Sequence, residues 1–256
     1  MAIKEIAMGD NEYRLEESNG KTILAFFAHP DDDSYYCSGT LAKLAKNNKV
    51  VIVMYTSGNK GSHDLGMTSE RLAEIRKKEE EEACAVIGIK PEDIIWLGYD
   101  DGELEYANPK ELCGKTARLI RMYKPDIVIS FDPGSHFRQW HKTDHSMAAF
   151  NTVDGARAAA YHLYYPEHLL YEDLKPFMVK EFFYFASAEP NYEVDISDVI
   201  ELKLLAISKH VSQQGAAHHK YLPVMTAQEQ ENLKKRIEEA KGRKHVEKFR
   251  RGGTDY

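Results

Sequence analysis

The chain alternates between short, almost unbroken apolar runs and longer segments in which apolar positions recur at helical spacing. "TILAFFA" (22–28), "VVIVMYTSG" (50–58), "DIIWLG" (93–98) and "DIVISF" (126–131) are of strand length and bounded by polar residues. Continuous apolar character, rather than strict alternation, predicts strands buried on both faces. Between them the spacing predicts a short helix over 39–47, a long one over 69–87 and another over 110–123. Ser69 stands where an N-cap belongs, and Gly88 where a helix-ending glycine belongs. Strand–helix alternation predicts right-handed crossovers and an α/β fold, with a parallel sheet covered on both faces. Such sheets bind ligands beyond the carboxyl ends of their strands. His29, Gly58, Tyr99 and Asp132 all stand at such ends. Further on, 181–187 reads as a strand and 200–212 as a helix. The highly charged stretch 227–249 reads as a solvated helix with a basic end at the surface.

Composition narrows the class. A 256-residue chain with 43% hydrophobic and 29% charged residues suits one soluble globular domain, and no linker or repeat divides it. The net charge of -7 argues against nucleic acid or an anionic membrane as partner. No run reaches membrane-spanning length, and the first twenty residues lack the apolar core of a signal peptide. Cys37, Cys84 and Cys113 are scattered, which makes neither a disulfide framework nor a CxxC zinc motif. The cytoplasm is the default compartment.

Chemistry enters where the first strand ends. "AHPDDD" (28–33) places three acids in succession at the mouth of a buried strand. Desolvated like charges are costly there, and a cation would offset them. His29 and Asp32, three apart, offer an imidazole nitrogen and a carboxylate oxygen to a borderline divalent metal; an acidic helix cap is the plainer alternative. The second cluster, "HFRQWHKTDHSMAA" (136–149), follows the fourth strand and holds three histidines. A catalytic zinc site has three protein ligands and one open position. His29, Asp32 and one histidine of the second cluster would complete it. His141 and His145, four apart, could share a helical face.

Together the two clusters resemble the LmbE/PIG-L family of zinc-dependent N-acetylglucosaminyl deacetylases. "AHPDDD" is similar to that family's AHPDDE, and "TDHSMAA" to half of its second motif. "TSGNKG" (56–61), "IRKKEEEEACAVIG" (75–88), "LGYDDGEL" (97–104) and "VDISDVIELKLLAISKHVSQ" (194–213) resemble its intervening segments in order, so that the likeness covers roughly residues 22–213. The resemblance implies a Rossmann-like three-layer fold with a mostly parallel central sheet, in a single domain over 1–256 with a charged helical tail over about 227–256. By position it implies Zn2+ held by His29, Asp32 and His145, with Asp31 as general base. It also implies Asp144 paired with a catalytic histidine, and Arg76, Asp101 and His210 at the substrate site.

Two positions depart from the family pattern. Asp33 stands where a glutamate is usual, and Lys142 where the catalytic histidine of H-x-D-H would be. His141, one residue further back, is assigned the oxyanion role, because a tetrahedral oxyanion needs a donor; Lys142 and His136 are the alternatives. Plainer readings stand beside the others. Arg76 could pair along its helix with Glu79 or Glu80, Asp101 could serve an Asp-Gly turn, and His210 could face a helix dipole. The implied substrate is a small N-acetylated amino sugar or glycoside, and the family leaves a homo-oligomer open. Competing readings are an amidase of the same machinery acting on a larger amide or thiol conjugate, a non-catalytic sugar- or nucleotide-binding module, and a metal-dependent phosphatase.

Overall fold

A computed structural model describes residues 14–134, 143–214 and 225–253. The first strand, β1 (Thr22–Phe27), leads through a tight loop into α1 (Asp32–Tyr36) and α2 (Ser38–Leu44). Then come β2 (Lys49–Thr56), α3 (Ser69–Val86), β3 (Ile94–Tyr99), α4 (Pro109–Tyr123) and β4 (Ile127–Phe131). The second half holds α5 (Thr143–Ala159), α6 (Pro166–Glu172), β5 (Glu181–Phe185), β6 (Tyr192–Asp195), α7 (Ile200–Lys209), α8 (Ala227–Ala240) and β7 (Val246–Gly253).

The strands form one seven-stranded sheet in the order β3-β2-β1-β4-β5-β7-β6. The pairings from β3 to β5 are parallel, and β7 runs antiparallel to both β5 and β6. The α/β reading therefore holds, with an antiparallel extension on one side. Burial explains the apolar runs: residues 23–28 and 51–55 have no exposed surface. One face carries α4 and α5, which pack together, and the Tyr55 hydroxyl bonds to Thr116 of α4 (2.9 Å) and Thr152 of α5 (3.1 Å). The other face carries α2, α3 and α7. Strand order reverses direction at β1, which lies between β2 and β4. That is the switch point where the loops after β1 and β4 part and leave a crevice.

Two local expectations change. Thr68, not Ser69, caps α3, its hydroxyl accepting the Arg71 amide at 3.3 Å. Gly88 does terminate that helix, with a φ of +86° that favours glycine. The stretch 227–249 is not one helix. It breaks after Ala240 and returns as β7, a strand inside the sheet with Phe249 fully buried. The buried charge Glu247 accepts the amides of Gly39 (3.0 Å) and Thr40 (2.7 Å), so the tail is tied to the start of α2.

Candidate active site

The loop after β1 folds back on itself. The His29 amide donates to Asp32 Oδ2 at 2.8 Å, which fixes that carboxylate at the start of α1. Asp31 lies between them with φ +114°, in the left-handed region that a side chain other than glycine rarely adopts. From the far side of the crevice α5 brings Asp144 and His145, both buried. His145 Nε2 lies 3.2 Å from His29 Nδ1 and 3.2 Å from Asp32 Oδ1. His29, Asp32 and His145 thus offer three ligand atoms within 4.8 Å of one another. The His145 ring stacks on Phe131, the last residue of β4, with centroids 4.3 Å apart.

His29 is used from both sides. Its Nε2 lies 3.1 Å from Asp101 Oδ1 and 3.2 Å from Asp144 Oδ2. Asp144 in turn accepts the amides of Gly102 (2.6 Å) and Leu104 (3.2 Å), tying the loop after β3 to α5. Asn59 ties the same loop to β2: it donates to Asp100 (2.8 Å) and accepts from the Asp101 amide (2.9 Å). Burial opposes a charged His29, yet Asp101, Asp144 and Asp32 outweigh it and hold the ring well above its ordinary value. Burial likewise opposes the Asp32 carboxylate, and His145 and His29 override it, so its pKa falls well below the usual range.

Helix α3 supports the loop from beneath. Arg76 is buried, and its Nη2 lies 3.1 Å from Asp31 Oδ2. The guanidinium also donates to the carbonyls of Pro30 and Gly58, the latter at 2.9 Å. Gly58 has φ +64°, and a Cβ there would meet Arg76 Nη1 at 2.4 Å, so glycine is required for this approach. One turn further on, Glu80 accepts the Asp31 amide at 3.2 Å. Asp33, Glu80 and His210 form a separate, fully buried group. Burial pushes the Asp33 carboxyl up to about 7 and the Glu80 carboxyl well above its usual range.

The profile of the PIG-L family, described as GlcNAc-PI de-N-acetylase, matches residues 24–156. A diacetylchitobiose deacetylase of Thermococcus kodakarensis is 32% identical over 205 residues, 79% of this chain and 74% of that one. The chain belongs to the PIG-L family. The solved N,N'-diacetylchitobiose deacetylase of Pyrococcus horikoshii, complexed with its inhibitor MPG, superposes with a TM-score of 0.75 at 28% identity, covering 93% of this chain and 88% of that one. A probable N-acetyl-alpha-D-glucosaminyl L-malate deacetylase of Bacillus anthracis is 38% identical over 120 residues, 45% of this chain and 52% of that relative.

Of the residues that the PIG-L resemblance singled out, the fold brings His29, Asp31, Asp32, Arg76, Asp101, Asp144 and His145 to one crevice. His141, with Lys142 and His136, lies outside the described residues. Asp144 meets His29 and two backbone amides among the described residues. Arg76, Glu79 and Glu80 are all buried rather than on the surface, and Arg76 pairs with Asp31. His210 is fully buried. It sits under α1, its Nε2 3.0 Å from Ser34 Oγ. Asn59 and Glu80 lie within the motifs but were given no site role, nor was Asp132, which Arg250 of β7 grips at 2.6 and 2.8 Å beside the cleft. Their roles were not legible in the sequence, because the partner of each is distant in the chain.

Proposed function

We propose that the chain is a metal-dependent hydrolase that removes the acetyl group from an N-acetylglucosamine-type amino sugar. The observation that carries this reading is the convergence of His29 Nδ1, Asp32 and His145 Nε2 beside Asp31 in a crevice at the sheet's switch point. Two imidazole nitrogens and one carboxylate, all buried, suit zinc, and three protein ligands leave a position for water. The three would hold the metal with His29 bound through Nδ1, so that Nε2–H donates to Asp101 and Asp144 and fixes the ring's tautomer. Such an ion would supply a water of lowered pKa and Lewis-acid polarisation of the acetyl carbonyl.

The chain's own residues supply the proton traffic. Asp31 adjoins the ligand Asp32 and takes the proton of the attacking water as general base. Arg76, its Nη2 3.1 Å from Asp31 Oδ2, holds that carboxylate in place. Asp31 then returns the proton to the leaving amine, and His141 is assigned to stabilise the tetrahedral oxyanion. The relatives named for diacetylchitobiose support a small acetylated amino sugar as substrate. The test uses protein stripped with a chelator and assayed for free amine from N-acetylglucosamine and diacetylchitobiose. Zinc restores amine release if the reading holds. Zinc-loaded protein that releases no amine from either sugar contradicts it.

A further inference from the structure

The residue that the proposed chemistry leaves unexplained is Glu80. It is a fully buried acid, one helical turn from Arg76, so both side chains leave the same face of α3 toward the loop after β1. Its Oε2 accepts the Asp31 amide at 3.2 Å, and its Oε1 accepts the Cys84 thiol at 3.2 Å. Asp31 is the residue with φ +114°. A backbone held in a sparsely populated region persists only where its surroundings over-determine it. Here two groups do so: Arg76 holds the Asp31 carboxylate and the Pro30 carbonyl, and Glu80 holds the Asp31 amide. The amide bond fixes the peptide plane entering Asp31, and that plane sets where the carboxylate stands relative to Asp32.

Glu80 also belongs to the group Asp33–Glu80–His210, whose ligand atoms lie within 4.8 Å of one another. A cation there is the rival role. Both Glu80 oxygens and His210 Nε2 already hold hydrogen bonds, whereas both Asp33 oxygens and His210 Nδ1 are buried without a partner among the described residues, so metal content must separate the two roles.

We propose that Glu80 is a positioning residue for Asp31: it accepts the amide of the general base and holds that base's strained backbone in the productive conformation. This deepens the deacetylase reading and rests on it. Displacement of a catalytic group by about 1 Å costs on the order of 100-fold in rate.

The test compares Glu80→Gln, which keeps an acceptor oxygen, with Glu80→Met, which fills similar volume without one. Metal content, kcat and KM for diacetylchitobiose are measured for both, with Asp31→Asn as control. The proposal expects one metal per chain in all forms and near-wild-type KM. It expects kcat lowered by roughly 10- to 100-fold in Glu80→Met and largely rescued in Glu80→Gln. Equal kcat in folded Glu80→Met and wild type overturns it. So does a second metal in the wild type that both variants lose, which assigns Glu80 to a cation. Hydrogen exchange of the Asp31 amide in the wild type needs no variant. Protection supports the bond, and exchange at the rate of an unprotected loop amide overturns it. An Asp31→Asn control as active as the wild type strikes at the deacetylase mechanism itself and leaves the amide measurement to judge Glu80's hold on the loop.

Discussion

Asp144 does three things with one carboxylate: it faces His29 Nε2 and receives the amides of Gly102 and Leu104. Its charge, set against burial, is held by His29 and those amides, and its pKa falls below the ordinary range. Acceptors behind a ligating histidine fix its orientation and raise its basicity. Asp144→Asn is therefore expected to weaken zinc affinity by about 10- to 100-fold, read by competition with a chromogenic chelator. Affinity equal to that of the wild type would remove Asp144 from this role. At this scale the sequence was informative where a motif packs its chemistry into adjacent positions. His29, Asp31 and Asp32 sit within four residues, and Asp144 beside His145. It offered Glu80 only as a helical partner of Arg76, because "KKEEEE" has the composition of a solvated helix face. Only the fold shows that the face carrying Arg76 and Glu80 is turned inward. His210, matched by position, lies fully buried against Ser34 of α1.

The element that changes the picture most is β7. Its charges made residues 246–249 look like the end of a helix, since four residues are too few for alternation to stand out from a charged run. The structure places this strand between β5 and β6, where its Arg250 grips Asp132 at the carboxyl end of β4. Asp132 also accepts the Gly134 amide at 2.8 Å, so the pair anchors the first residues of the chain leaving β4. Arg250→Ala is expected to cost about 1–2 kcal/mol in urea unfolding, the usual size for a hydrogen bond to a charged group that is partly screened by solvent. Burial opposes the Asp132 charge, and Arg250 outweighs it, lowering the pKa from 3.8. A depressed carboxyl contributes stability that is complete above its unfolded value and lost as pH falls through its folded one. The gap between wild type and variant should accordingly be full above that value and close below it. A gap that is constant across this range would contradict the ion pair.

At the scale of the whole molecule, the buried His210 beneath the site contributes to the response to acid. Burial, aided by the neighbouring Arg76, lowers the His210 pKa from 6.5 to about 3. The unfolded chain takes up this proton first, so stability is complete above 6.5 and declines as pH falls toward about 3. The slope from this one group is at most about 1.4 kcal/mol per pH unit. His210→Gln should flatten that limb of the stability profile; an unchanged slope would place the acid sensitivity elsewhere. The architecture as a whole was legible, because buried parallel strands write themselves as apolar runs and their carboxyl ends share an edge. The central claim is that this edge houses a metal-assisted hydrolase with Asp31 as its base. The most direct measurement is amine release from diacetylchitobiose by wild type and Asp31→Asn, with zinc content determined on the same samples. The account predicts zinc in both and release in the wild type alone. Equal release by two zinc-loaded proteins, or none by either, would contradict it.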